Sequence, residues 1–213
     1  MATERVLHVH PTLAPVFPDG GLRRGSIIAC TGQGAWSGAL ALTATASQSG
    51  SWAAVVGLGA LGLAAAAEWG LALDRVIGIP DVPASQSATV LAALVDSVDL
   101  VLIDGASVRA GEARRISARL VQRGGVLVLV ERVGGFSADI TCDFSTETWE
   151  GLGDGYGRLT ARHAQLRVAG RRLGRERRLH LQFPAATGSI DHRRVETIHA
   201  DGIASAVAAV HAV

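Results

Sequence analysis

The chain has 213 residues, 48% of them hydrophobic and 18% charged. That fills one well-formed core, excludes a disordered chain, and leaves no apolar run of the ~20 residues a membrane span needs. The net charge of +1 conceals an asymmetry: all 20 basic residues are arginine, and ten of them lie between Arg158 and Arg194 against only Glu176 and Asp191. That segment carries +8 and the remainder −7, a pattern that suits an acidic partner, either nucleic acid or a protein face, or else a solvated hairpin surface.

Glu4 and Arg5 stand where a signal peptide would begin its apolar run, so no export signal is expected. Cys30 and Cys142 form no metal-ligand or redox motif, and the seven histidines, His8 and His10 among them, show no ligand spacing. A reduced, cytoplasmic setting fits this cysteine usage.

Residues 1–20 read as a loop-rich lead-in with Pro11, Pro15 and Pro18. Residues 26–30, Ser-Ile-Ile-Ala-Cys, form a short buried strand, followed by a Gly-rich turn over 31–38 and an Ala/Leu-rich helix to about Gln48. A second strand is predicted over 52–56, a helix over 61–73, a third strand over 76–79, a helix over 86–95 and a fourth strand over 99–104. The segment 109–122 is an amphipathic helix with Ala113, Ile116, Leu120 and Val121 apolar, stopped by Gly124-Gly125. The run Val126–Val130 is wholly apolar and should be a central strand. Five such runs alternating with helices predict a mostly parallel sheet covered on both faces.

Residues 134–157 are Gly-rich and polar and read as a long loop. From Leu159 to Phe183 the period changes to two, with Gly170–Gly174 as the turn, which predicts an antiparallel hairpin at the sheet edge. Residues 184–213 form a tail whose end reads as a short helix with Ile203, Val207 and Val210 on one face, a candidate partner face. The whole chain is expected to be a single domain with its core over 21–183.

The order strand, Gly-rich turn, helix is that of a P-loop, in which backbone N–H groups cradle phosphates, a lysine neutralises them and a hydroxyl holds Mg²⁺. The positions are Gly32, Gly34, Trp36 and Gly38, but Ala39 and Leu40 stand where Lys and Ser/Thr belong, and there is no lysine elsewhere. Trp36 offers an indole to fill the phosphate space. Asp104 has the place of a Walker B carboxylate, and equally that of a residue tethering a loop. A rival motif, Gly57-x-Gly59-x-x-Gly62 with Asp81 beyond it, matches a dinucleotide fingerprint, although another strand-turn-helix unit precedes it.

These pieces resemble, in order, the RecA core over about residues 15–183. Residues 20–32 resemble the approach to its P-loop, 98–104 its Walker B strand, and 126–131 the strand whose end carries a phosphate-sensing Gln, here Glu131. Gly59 stands at the best match to the catalytic glutamate. A RecA-like core with its catalytic positions eroded is similar to the ImuA family, most closely the ImuA′ branch.

That resemblance implies a RecA-like P-loop NTPase fold, no ATP hydrolysis, no cofactor and no metal. It implies an ImuB-like partner, a Y-family polymerase homologue, and through it an error-prone C-family polymerase in translesion synthesis, at the nucleoid when DNA is damaged. Arg162, Arg167, Arg171, Arg172, Arg175, Arg177 and Arg178 are the candidate DNA or partner surface, with Trp149 and Tyr156 as candidate stacking residues. Two other readings stand beside it. One is a divergent NTPase in which Arg23 or Arg24 replaces the lysine. The other is a dinucleotide-binding protein using Gly57, Gly59 and Gly62.

Overall fold

The structure is a computed structural model and describes residues 5–57, 63–104, 108–131, 134–153, 156–185 and 190–197. Its main sheet is built from β3 (Ile27–Thr31), β4 (Ala53–Val56), β5 (Val76–Ile79), β6 (Leu100–Asp104), β7 (Val126–Val130), β8 (Ile140–Gly153), β9 (Tyr156–Gly170), β10 (Arg177–Gln182) and β11 (Asp191–Thr197). In space the order is β11-β10-β9-β8-β3-β7-β6-β4-β5. The strands from β8 to β5 in that order run parallel, and β9, β10 and β11 extend the sheet antiparallel. A ribbon of β1 (Val6–His8) and β2 (Gly21–Arg23) lies apart.

The central parallel strands β3, β4, β6 and β7 form because both of their faces are buried. Ile28, Cys30, Val126, Val128, Val130, Leu100 and Leu102 point to one face, and Ile27, Leu127, Leu129, Val101 and Ile103 to the other. On the second face lie α3 (Ser87–Ser97) and α4 (Ala110–Arg123), linked by Arg119 and Arg123 to Asp96 at 3.0 and 3.2 Å. Helix α4 begins with Glu112 accepting from the Arg109 N–H and ends at Gly124 in the left-handed conformation, φ 71°.

The first face is covered by α1 (Ala35–Gln48), which is buried nearly all round and carries no charge. Its outer side is roofed by Leu7, Val9, Leu13, Val16 and Phe17, so the lead-in belongs to the same core. The helix α2 covers Leu63–Glu68 and stops at a turn through Gly70, φ 87°, short of the predicted 61–73. Among the described residues no helix is long and apolar enough to cross a membrane. Gly59, Gly62, Ile203, Val207 and Val210 lie outside the described residues.

Two expectations are corrected. Residues 140–153 are not a loop but the 14-residue strand β8, paired with β3 on one side and β9 on the other. Ile140, Cys142 and Phe144 are buried in alternation with the polar Thr141, Asp143 and Ser145. Period two over six residues is a strand signal even where the polar face is large. The β9–β10 hairpin is present with its turn after Gly170, yet it is not the edge: β11 pairs outside β10, from Arg177↔Thr197 to Gln182↔Asp191.

If β8 is a buried strand, amide hydrogens from Cys142 to Ser145 should exchange as slowly as those of β3, whereas a surface loop would exchange within seconds. Phe144→Ala should cost about 3–5 kcal/mol in urea unfolding, as for a large core side chain.

Candidate functional site

The parallel strands share one carboxyl edge, where ligands of open α/β sheets bind. There β3 passes through Gly32, φ 88°, into a turn much shorter than the sequence suggests. Helix α1 already begins at Ala35, so Trp36 and Ser37 lie in its first turn. Ala39 and Leu40 lie in the second and are fully buried in the core. The two positions where a lysine and a hydroxyl would face phosphates therefore face the interior.

Phe144 on β8 crowds three glycines here, Gly32 and Gly34 in the turn and Gly38 in α1. A Cβ on Gly32 would run into the Phe144 backbone, one on Gly34 would lie 3.0 Å from the Phe144 Cβ, and one on Gly38 would enter the Phe144 ring. The Gly34 N–H donates to the Phe144 carbonyl at 3.2 Å, and the Ala35 N–H to that of Gly32 at 3.0 Å. No side chain caps α1.

Across the edge, the Trp36 indole N–H donates to Oδ2 of Asp104 at 3.1 Å. Asp104 ends β6, two strands from β3, a span of about 10 Å at the usual strand spacing. The indole bridges that gap over the end of β7. Through this bond Asp104 tethers the first turn of α1. Beside it, Gly57 takes φ 90°, which explains a glycine there without a dinucleotide. Glu131, just beyond β7, is exposed and holds φ 57°, its N–H bound to the Cys30 carbonyl at 2.8 Å. Burial pushes the Cys30 and Cys142 thiols upward, which makes them inert. Among the described residues no group of His, Cys, Asp and Glu could hold a metal ion.

The basic hairpin divides. Arg167, Arg171, Arg172 and Arg175 are exposed, with Arg167 bound to Asp143 at 3.1 Å and Arg171 to Ser137 at 3.2 Å. Arg177 donates to the Pro15 and Phe17 carbonyls and pins the lead-in, and Arg178 pairs with Glu176. Arg162 is not on the surface: it is 6% exposed. On β9 the even positions 164, 166 and 168 point inward, and Arg162 follows them.

Its Nε donates to the Phe183 carbonyl at 2.6 Å, and its guanidinium lies 5.5 Å from the Trp149 ring and 5.2 Å from the Phe183 ring. Its Nη2 is buried without a hydrogen-bond partner, about 3.7 Å from where a Gly34 Cβ would be. Burial lowers its pKa. A cation is thereby held at the positive end of α1, where an anion would be favoured. Arg23 and Arg24, the expected substitutes for a lysine, sit before the other end of β3, roughly 15 Å away along a five-residue strand. Sequence reasoning missed Phe144, in the supposed loop, and the inward aim of Arg162, which the β9 alternation encodes.

The family model described as the MT3502 N-terminal domain matches residues 15–135. The chain belongs to this family. The match includes the turn, Trp36, Asp104 and Glu131 and stops before β8, so Phe144 and Arg162 lie outside it. The chain is also similar to the uncharacterized protein Rv3395c of Mycobacterium tuberculosis (strain ATCC 25618 / H37Rv), 38% identical over 100 residues. Those residues are 46% of this chain and 48% of Rv3395c, so the match spans about half the length of that relative.

Gly38→Ala tests the packing of this family member's turn. Better helix propensity would gain about 1 kcal/mol, but overpacking against the Phe144 ring costs about 1–3 kcal/mol or more, so a net loss is expected. Adding Phe144→Leu should recover part of it. Trp36→Phe keeps an aromatic ring, smaller than the indole, and removes the donor to Asp104; a loss of about 1–2 kcal/mol in urea unfolding is expected.

Proposed function

We propose that this chain is a non-catalytic adaptor with a RecA-like P-loop fold. It binds an ImuB-like Y-family polymerase homologue and, through it, supports an error-prone C-family polymerase in translesion synthesis. The observation that carries the non-catalytic part is the Trp36–Asp104 bond. It engages the carboxylate at the Walker B position and lays an indole over the edge where a nucleotide would sit. The burial of Ala39 and Leu40 supports the same reading. The parallel strand order, with the turn and Asp104 on one edge, supports the RecA-like assignment. The partner and the pathway rest on the resemblance to the ImuA family.

In this reading the protein acts in the cytoplasm and joins the nucleoid when DNA is damaged. Arg167, Arg171, Arg172 and Arg175, with the exposed Trp149 and Tyr156, supply a DNA or partner surface. Such contacts weaken steeply with salt.

A second reading is favoured by one observation. The unpartnered Nη2 of Arg162 lies at the α1 N-terminus, so a phosphate there would find a guanidinium in place of the missing lysine. That is the divergent NTPase with its arginine from β9 instead of Arg23 or Arg24.

The purified chain mixed with the ImuB-like protein of its source should co-elute from a sizing column at physiological salt without nucleotide. Mg-ATP at millimolar concentration should neither bind nor be hydrolysed. Separate elution would remove the mutagenesis role. Hydrolysis that is lost in Asp104→Ala and in Arg162→Ala would replace the adaptor by the enzyme.

A further inference from the structure

At the opposite edge of the sheet, a cleft of about 410 Å³ lies between the start of β3, the start of β8 and the outer face of α4. Its size falls in the range of small-molecule sites, about 300–1,000 Å³. Its walls include Ile27, Ile140, Val121 and Pro18. Val121 is 67% exposed, an apolar side chain that the fold leaves uncovered on α4.

Four arginines from three places line this cleft: Arg23 and Arg24 at the end of β2, Arg114 on α4 and Arg172 in the β9–β10 turn. Arg24 is held by Asp99 at 3.0 Å and by the Gly124 carbonyl at 3.1 Å. Among the described residues, the guanidiniums of Arg23, Arg114 and Arg172 make no hydrogen bond or ion pair, and the Arg23 carbonyl accepts from Ser26. Two acids share the cleft, and one of them, Asp139, already accepts the Ile27 N–H at 3.0 Å. Asp19 is the other. Three exposed guanidiniums from three separate elements thus converge on an apolar-walled cavity.

We propose that this amino-edge cleft binds a small organic phosphate with an apolar body, the phosphate held by Arg23, Arg114 and Arg172 and the body seated against Val121 and Ile140. Guanidinium forks match phosphate oxygens bidentately, and an apolar wall favours a ligand that carries more than the anion. The inference does not rest on the adaptor reading, since the cleft lies at the other end of the strands from the turn and Asp104, although Arg172 is shared with the surface that reading uses. The cleft also continues past Asp19, Arg23 and Arg24 into a shallower groove of about 690 Å³, so the test includes a polymeric phosphate.

The test titrates the full chain with 1-naphthyl phosphate, followed by its fluorescence and by amide chemical shifts. Binding should perturb amides near Arg23, Val121, Gly135 and Arg172 and leave those of Gly34–Ser37 unmoved. Naphthol and inorganic phosphate should each bind at least tenfold more weakly. Arg114→Ala and Arg172→Ala should each weaken binding about tenfold, and Val121→Glu should abolish it. Arg119→Ala, on the same helix but bound to Asp96, should leave it unchanged. These residues are exposed, so circular dichroism should show all four variants folded.

Binding that is insensitive to Arg114→Ala and Arg172→Ala, or shifts confined to the α1 N-terminus, would overturn the proposal. It would equally fall if a single-stranded oligonucleotide bound through the same arginines far more tightly than naphthyl phosphate, which would make the cleft part of a nucleic-acid track.

Discussion

The chain from the end of β3 into α1 passes Phe144 so closely that three of its positions are crowded at the Cβ, Gly32 and Gly38 beyond what a side chain could fit. Gly32, Gly34 and Gly38 meet respectively the backbone, the Cβ and the ring of that one residue. This contact seats α1 against β8 and fixes where the helix begins. Once Ala35 is the first helical residue, Trp36 is directed over the carboxyl edge towards Asp104. Ala39 and Leu40 turn into the core by the same geometry. A Gly-rich turn before a helix is usually explained by a ligand that needs close approach to the backbone. Here a protein side chain makes the same demand.

The electrostatics of that edge follow from the absence of lysine. The cation that comes nearest the turn is Arg162, brought from a distant strand and buried among Trp149, Phe183 and Gly34. Stacking on two aromatic rings and one bond to the Phe183 carbonyl offset part of the cost of burying it. One nitrogen remains without a partner, and it faces the positive end of α1. The family match ends at residue 135, so the parts that shape this edge from β8 and β9 are not within the matched span.

The arginines do not act as one surface. The sequence places ten of them between Arg158 and Arg194, but the fold uses Arg177 to hold the lead-in, pairs Arg167 and Arg178 with acids, and buries Arg162. Arg172 is carried to the amino edge, where it meets Arg23 and Arg114 from far earlier in the chain. The two ends of the parallel strands are therefore unlike. The carboxyl edge is bridged by an indole and a carboxylate, and the amino edge is open, apolar at its walls and lined by three guanidiniums that have no partner among the described residues.

The parallel half of the sheet was legible from sequence because strands buried on both faces must be apolar without interruption, as Leu100–Ile103 and Val126–Val130 are. The amphipathic α4 and its Gly124 stop were legible for the equivalent reason in a helix. β8 was obscured because one of its faces is polar and Gly134, Gly135, Gly151 and Gly153 flank its apolar positions, so composition concealed the alternation of Ile140, Cys142 and Phe144. That Ala39 and Leu40 stand where a P-loop has Lys and Ser/Thr, with no lysine elsewhere, needed only the sequence. That Asp104 is spent on Trp36, that glycines 32, 34 and 38 serve Phe144, and that Arg162 points inward needed the tertiary structure. Each is a contact between residues 68 to 128 positions apart, set by which strand lies beside which, and a linear pattern carries periodicity along one element but not the order of the sheet.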